Sequence, residues 1–87
     1  MKSPLNYAIM LYFTRHAEGD ADSIIEELRP EYGGYRMFKK RGVIESLMTA
    51  KENGILEEVR TELAEGEELR VWYRLTEYGT DLIKRFL

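Results

Sequence analysis

The chain has 87 residues, a formal net charge of −3 and no cysteine. This length fits one domain, residues 1–87, and the lack of cysteine excludes a disulfide framework and thiolate chemistry. The longest apolar run, residues 7–13, is too short to cross a bilayer, and the cysteine-free composition agrees with a reducing cytoplasm. We therefore expect a single cytoplasmic domain that is not inserted in a membrane.

The first predicted helix begins at Ser3-Pro4, where serine provides the N-cap and proline the first helical residue. It runs from Pro4 to about Ala17 and stops at Gly19. Its apolar residues extend almost all the way around the helix, which indicates burial on more than one side. In a domain this small, we expect another subunit to cover one of these sides.

A second helix is predicted after Asp20 or Asp22, because either aspartate would cap its N-terminus and complement its dipole. Its inward side is formed by Ile24, Ile25 and Leu28. Pro30 is expected to end this helix, since proline cannot donate a backbone hydrogen bond.

A third helix follows the Gly33-Gly34 turn, begins between Tyr35 and Arg41, and ends at the C-cap signal Asn53-Gly54. Its inward side is Val43 or Ile44, followed by Leu47 and Ala50. The side chains expected to point away from the core are Arg41, Glu45, Ser46, Thr49 and Glu52.

The last third of the chain has the pattern of a β-hairpin followed by a helix. Residues 55–64 and 69–75 are two predicted strands around the turn 65–68, and Thr76 is expected to cap the last helix. Apolar side chains recur at every second position, so one face of the hairpin is expected on the core. These side chains are Val59, Leu63, Leu69, Val71, Tyr73 and Leu75.

This order of elements resembles the winged helix-turn-helix domain of PadR-like and MarR-like transcription regulators. The resemblance is carried by Asn53-Gly54-Ile55-Leu56 after the third helix and by residues 73–79, Tyr-Arg-Leu-Thr-Glu-Tyr-Gly. It implies a mostly helical α+β fold with a three-helix core, a two-stranded β wing and a C-terminal helix. It also implies a DNA-binding transcription regulator without a cofactor, whose third helix enters the major groove of double-stranded DNA. The expected assembly is a homodimer formed through the first and last helices.

Candidate DNA-binding residues lie on the third helix and the second strand of the wing. Residues 35–54 carry five basic and two acidic side chains, the densest positive block in the chain. Phosphate contacts are expected from Arg36, Lys39, Lys40 and Arg41, and base-edge contacts from Ser46 and Thr49. The alternative for the basic block is a solvated helix end that balances the acidic second helix.

Arg70 and Arg74 are predicted on one face of the second strand, with Trp72 between them. They could grip a phosphate, or they could pair across the hairpin with Glu58, Arg60 and Glu62.

The wing is acidic, which favours a second function class. Residues 55–70 carry six glutamates and two arginines, and the tip contains Glu65, Glu67 and Glu68. Phosphate would repel these side chains, so we expect the wing to be held away from DNA. The alternative function is a winged-helix protein–protein interaction module that uses the acidic wing and exposed aromatic side chains.

Catalysis and metal binding are not expected. His16 is the only histidine, and its position at the end of the first helix favours stabilisation of the helix dipole. The glutamates of the wing are too exposed in pattern for tuned acid–base pairs, and they lack a matching histidine or cysteine for a metal.

Overall fold

The computed structural model describes residues 4–36, 38–63 and 65–86. The order of elements is three helices, a β-hairpin and a last helix, as predicted. The helices are α1 (Leu5–Arg15), α2 (Ala21–Tyr32), α3 (Lys40–Glu52) and α4 (Glu77–Phe86), and the strands are β1 (Leu56–Leu63) and β2 (Leu69–Leu75). The predicted N-cap at Ser3 lies outside the described residues.

Helix α2 begins where the sequence predicted but ends later. Asp20 is its N-cap, since Oδ1 of Asp20 accepts a hydrogen bond from the backbone N–H of Ser23 at 3.1 Å. The expectation that Pro30 ends the helix is wrong, because α2 continues to Tyr32. Proline removes only one backbone donor, while the N–H of Gly33 closes the last turn on the carbonyl of Arg29 at 2.9 Å. Burial of the Tyr32 side chain holds this turn on the core.

The core is formed where the first three helices pack on the base of the hairpin. Its fully buried side chains include Ile9 of α1, Ile24 of α2, Val43 of α3 and Leu56 of β1. Of the two alternatives on α3, Val43 faces the core, whereas Ile44 is partly exposed. The base of the wing is therefore part of the core, and its position relative to α3 is fixed by packing.

The hairpin is antiparallel, with Leu56 opposite Leu75 and Leu63 opposite Leu69. Near the helices, Tyr73 is buried as predicted. At the tip, the expectation that the alternating apolar side chains face the core is wrong, because Leu63 and Leu69 are 73% and 60% exposed. The register places these two leucines at the turn end of the hairpin, at the opposite end from the buried Leu56 and Tyr73.

An isolated β-bridge joins the hairpin to the connection between α1 and α2. Gly19, in the connection between α1 and α2, pairs with Tyr73, and each backbone N–H donates to the other carbonyl at 2.9 Å. This places β2 between β1 and the α1–α2 connection. The pairing orients the wing against the start of α2.

Hydrogen bonds of the Thr76 side chain connect the start of α4 to the residues that follow α3. The N–H of Gly79 donates to Oγ1 of Thr76 at 2.9 Å, which confirms the predicted cap. The Thr76 hydroxyl in turn donates to the carbonyl of Gly54 at 2.6 Å, and Gly54 has the positive φ of 77° that favours glycine after a helix. A Cβ atom at Gly79 would lie 2.2 Å from the Ile55 carbonyl oxygen, so only glycine fits there.

Candidate nucleic-acid interface

The predicted basic block lies at the start of α3. Arg36 and Lys39 precede the helix and are exposed, Lys40 is its first residue, and the side chain of Arg41 is 91% exposed. The first turn of α3 contains no acidic residue. Cations at a helix N-terminus oppose the helix dipole, so this turn gains no electrostatic support from its own side chains.

Lys40 is held by acidic side chains from two other elements. Its ammonium contacts the carboxylates of Glu68, at the end of the wing turn, and of Asp22 in α2, the latter at 3.2 Å. Hydrogen bonds to Glu68 and then to Asp22 raise the pKa of Lys40. The acidic wing thus contacts the start of α3, and Lys40 must leave these carboxylates to contact a phosphate.

The face of α3 that points away from the core is a stripe of four side chains, defined here as the α3 stripe. It consists of Arg41, Glu45, Met48 and Glu52, which are all exposed. Their spacing of four, three and four residues keeps them on one side of the helix. Nε of Arg41 lies 3.4 Å from Oε1 of Glu45, an exposed pair that contributes little to stability. Thr49 is exposed at the edge of the stripe.

Ser46, which was expected to point away from the core together with Thr49, does not belong to this stripe. Its hydroxyl donates to Oδ1 of Asn6 in α1. Ser46 therefore lines the groove between α1 and α3, which Thr49 also borders. Of the two predicted base-reading residues, only Thr49 lies beside the α3 stripe.

Arg70 and Arg74 lie on one face of β2 with Trp72 between them, as the strand period predicted. Arg70 contacts Asp20, and Nε of Arg74 lies 3.4 Å from Oε2 of Glu57. The partner of Arg74 is Glu57 instead of Glu58 because a bulge at Val59 shifts the register of β1.

The two arginines do not join one surface. Arg70 lines a cleft of about 100 Å³ between α3 and the wing, together with Lys40 and Asp20. Arg74 lies near α4.

An arginine–tryptophan cluster lies on the wing; the sequence predicted Arg70 beside Trp72, but it did not predict that Arg60 would contact the Trp72 ring. The guanidinium carbons of Arg60 and Arg70 lie 4.4 Å and 5.4 Å from the centre of the Trp72 ring. Arg60 also forms an ion pair with Glu18, and Arg70 forms one with Asp20. These two acidic residues flank Gly19, so the α1–α2 connection binds the outer face of the wing. The signal that could have found this cluster was the hairpin itself, because its register pairs Arg60 with Trp72 and the strand period puts Arg70 on the same face.

Asp20 is the most buried charged side chain among the described residues, at 1% exposure. Burial by itself would raise the pKa of this carboxyl, but hydrogen bonds from Ser23 and Arg70 outweigh burial and hold the pKa below its usual value. Asp20 therefore stays ionised at neutral pH, and its role is to join α2 to the wing.

The described residues contain no group placed to bind a metal ion. Within residues 4–36, 38–63 and 65–86, no group of three or more histidine, aspartate or glutamate side chains is placed to hold a metal ion. His16 stacks on Tyr12, with ring centres 4.2 Å apart, and its Nε2 lies 2.6 Å from Oε1 of Glu27. No helix in this part of the chain is long and apolar enough to cross a membrane.

Comparison with solved structures identifies the fold. PadR from Bacillus subtilis, solved in complex with operator DNA, superposes with a TM-score of 0.74 over 94% of this chain at 22% sequence identity. A transcriptional regulator homologue from Pyrococcus horikoshii gives a TM-score of 0.70 over 97% of the chain at 17% identity. The fold is a PadR-type winged helix. In this fold α3 is the third helix of the core and the β1–β2 hairpin is the wing.

A further winged-helix neighbour is a PadR-like transcriptional regulator from Bacillus cereus, with a TM-score of 0.68, 15% identity and 94% coverage of this chain. The chain spans 45% of the Bacillus subtilis PadR chain, 73% of the Pyrococcus chain and 76% of the Bacillus cereus chain. No protein-family model matches the sequence, and no curated protein is significantly similar to it. At these identities the winged-helix neighbours establish the fold.

Proposed function

We propose that this winged helix is a DNA-binding transcription regulator, formed by residues 1–87 as one domain and acting in the cytoplasm as a homodimer. The recognition helix α3 enters the major groove, while the basic residues at its start contact phosphates. No catalytic step and no cofactor belong to this function.

The observation that carries the proposal is the exposed α3 stripe beside a basic helix start in a winged-helix fold. Arg36, Lys39 and Arg41 are exposed around the first turn of α3, and they would meet the DNA backbone as the helix enters the groove. A neighbour of the same fold, PadR from Bacillus subtilis, was solved with operator DNA. Thr49, exposed at the edge of the stripe, is then the predicted residue within reach of base edges.

The dimer is proposed from apolar surface on α1 and α4. Tyr7 of α1 is 49% exposed, and Tyr78 and Phe86 of α4 are 59% and 70% exposed. Exposed apolar side chains grouped on two helices mark a contact surface. A two-fold dimer would cover them and place two recognition helices on successive half-sites.

The test is a titration of fluorescently labelled mixed-sequence duplexes at low and moderate salt. A DNA-binding winged helix should bind at low salt and lose affinity as salt rises, because phosphate contacts release counterions. Absence of binding at low salt would contradict the proposal.

The second candidate is a protein–protein interaction module. It is favoured by the wing tip, where the carboxylate of Glu68 contacts Lys40 and where Leu63 and Leu69 are exposed. Such a module would bind a basic protein surface and show no affinity for duplex DNA. The same titration therefore separates the two candidates.

A further inference from the structure

The recognition helix has an unusual set of side chains for reading bases. The usual readers of guanine and adenine are arginine, lysine, asparagine and glutamine. Residues 40–52 contain no asparagine or glutamine. On the α3 stripe the only cation is Arg41, and its guanidinium is 3.4 Å from the Glu45 carboxylate. The stripe therefore depends on other chemistry for sequence preference.

Met48 lies near the middle of the stripe and is 50% exposed. Ile44, one turn earlier on the side of the wing, is 37% exposed. Both side chains line the cleft between α3 and the wing, and Leu69 lines the same cleft from the wing side. An apolar surface thus runs along the part of α3 that would face the floor of the major groove.

We infer that Met48, supported by Ile44, reads the 5-methyl groups of thymine in the major groove. The inference rests on the proposed function and adds the class of base pair that this helix prefers. Thymine is the base that presents a methyl group in the major groove, and apolar side chains contact it there. Each methyl group removed from water adds roughly a three- to fivefold preference.

The acidic members of the stripe favour the same base pair. Glu45 precedes Met48 by three residues and Glu52 follows it by four, so both border Met48 on the helix surface. An ionised carboxylate only accepts hydrogen bonds, and adenine presents an amino donor beside the thymine methyl. Guanine presents two acceptors at the corresponding edge, which a carboxylate would repel. A methionine between two glutamates therefore matches A·T pairs and disfavours G·C pairs read from the guanine side.

The experiment removes only the methyl group from the DNA. Duplexes enriched by the wild-type protein from a random pool are remade with deoxyuridine in place of thymidine, and both forms are titrated at one salt concentration. We expect the wild type to bind the uridine form about tenfold more weakly if each half-site contributes one methyl contact. Met48→Ala should bind both forms equally, whereas Met48→Leu should keep a preference for thymidine.

Leu63→Ala is the matched control, since it removes an exposed apolar side chain from the wing tip, outside α3 and the proposed dimer surface, and should keep the wild-type ratio of affinities for the two duplex forms. Equal binding of both duplex forms by the wild type would overturn the inference. An undiminished preference of Met48→Ala for the thymidine duplex over the deoxyuridine duplex would overturn it as well. In these cases the proposed DNA-binding function would still stand. Failure of the wild type to enrich any duplex would instead overturn the proposed function, and the inference with it.

Discussion

Asp20 and Arg70 are joined by two hydrogen bonds, because Nε and Nη2 of Arg70 lie 2.8 Å and 2.5 Å from Oδ2 of Asp20. The other carboxylate oxygen of Asp20 caps α2 by accepting the N–H of Ser23. One buried side chain therefore connects the start of α2 to the second strand of the wing. The position of the wing beside α3 depends on this connection.

Replacing Asp20 by alanine should destabilise the fold by about 2–4 kcal/mol, since it removes an N-cap and the buried carboxylate to which Arg70 donates two hydrogen bonds. Asp20→Asn should cost less, because asparagine also caps helices. Urea unfolding at neutral pH measures both. Asp22→Ala is the control: Asp22 is half exposed, and its loss should cost at most about 1 kcal/mol. Equal losses in Asp20→Ala and Asp22→Ala would contradict the assignment.

Acid should destabilise the protein through the same residue. The pKa of Asp20 is lower in the folded protein than in the unfolded chain, so the unfolded chain binds the proton more strongly. The contribution of Asp20 is fully present above an unfolded pKa of about 3.9 and is lost as pH falls from there through the folded pKa. The urea concentration at the midpoint of unfolding should therefore decrease once the pH falls below about 4. Asp20→Asn should flatten this drop, and an equally steep drop in that variant would exclude Asp20 as its source.

The proposed dimer should depend on α4 and α1. Phe86→Glu and Tyr7→Glu each place a charge on an exposed apolar surface, and we expect both to convert the dimer to a monomer. Sedimentation at high micromolar concentration measures the mass. Leu63→Glu at the wing tip is the control and should leave the dimer intact. A wild-type monomer at that concentration would contradict the dimer.

The basic start of α3 should supply affinity that does not depend on sequence. Lys39→Glu together with Lys40→Glu should weaken binding to all duplexes, and each lost phosphate contact should lower the salt slope by about 0.9. Lys39→Glu alone is the cleaner variant, because Lys40 also contacts Asp22 and Glu68. Lys84→Glu, compared at a concentration at which sedimentation shows it to have the wild-type mass, should leave the slope unchanged. Wild-type affinity in the double variant would exclude α3 as the DNA-facing helix.

The acidic wing should restrain DNA binding through Glu68. The sequence predicted that the wing is held away from DNA, so that neutralising its tip would change little. Glu68 instead contacts Lys40 at the start of α3, so Glu68→Gln should remove one of the two carboxylates that hold Lys40 and tighten binding severalfold at low salt. At about 150 mM salt the gain should shrink as charges are screened. Glu65→Gln is the control, and an equal gain in both variants would indicate general repulsion instead of the Glu68–Lys40 contact.

The sequence was sufficient to predict the features that depend on residues close together in the chain. Asn53-Gly54 predicted the end of α3, and Gly54 has the expected positive φ. Thr76 predicted the cap of α4, and the strand period placed Arg70, Trp72 and Arg74 on one face. These features are determined by backbone geometry within a few residues, so composition and spacing reveal them.

Only the tertiary structure decided the features whose partners are distant in the chain. Ser46 turns toward Asn6, which is 40 residues away, and Arg70 binds Asp20, which is 50 residues away. The helical turn after Pro30 persists because Tyr32 is buried, and the tip leucines stay exposed because they lie at the turn end of the hairpin, away from its buried base. The sequence by itself determined the winged-helix order of elements and the positive start of α3. Packing decided which side chains of α3 and the wing remain on the outer surface, because burial and ion pairing are set by residues that folding brings together.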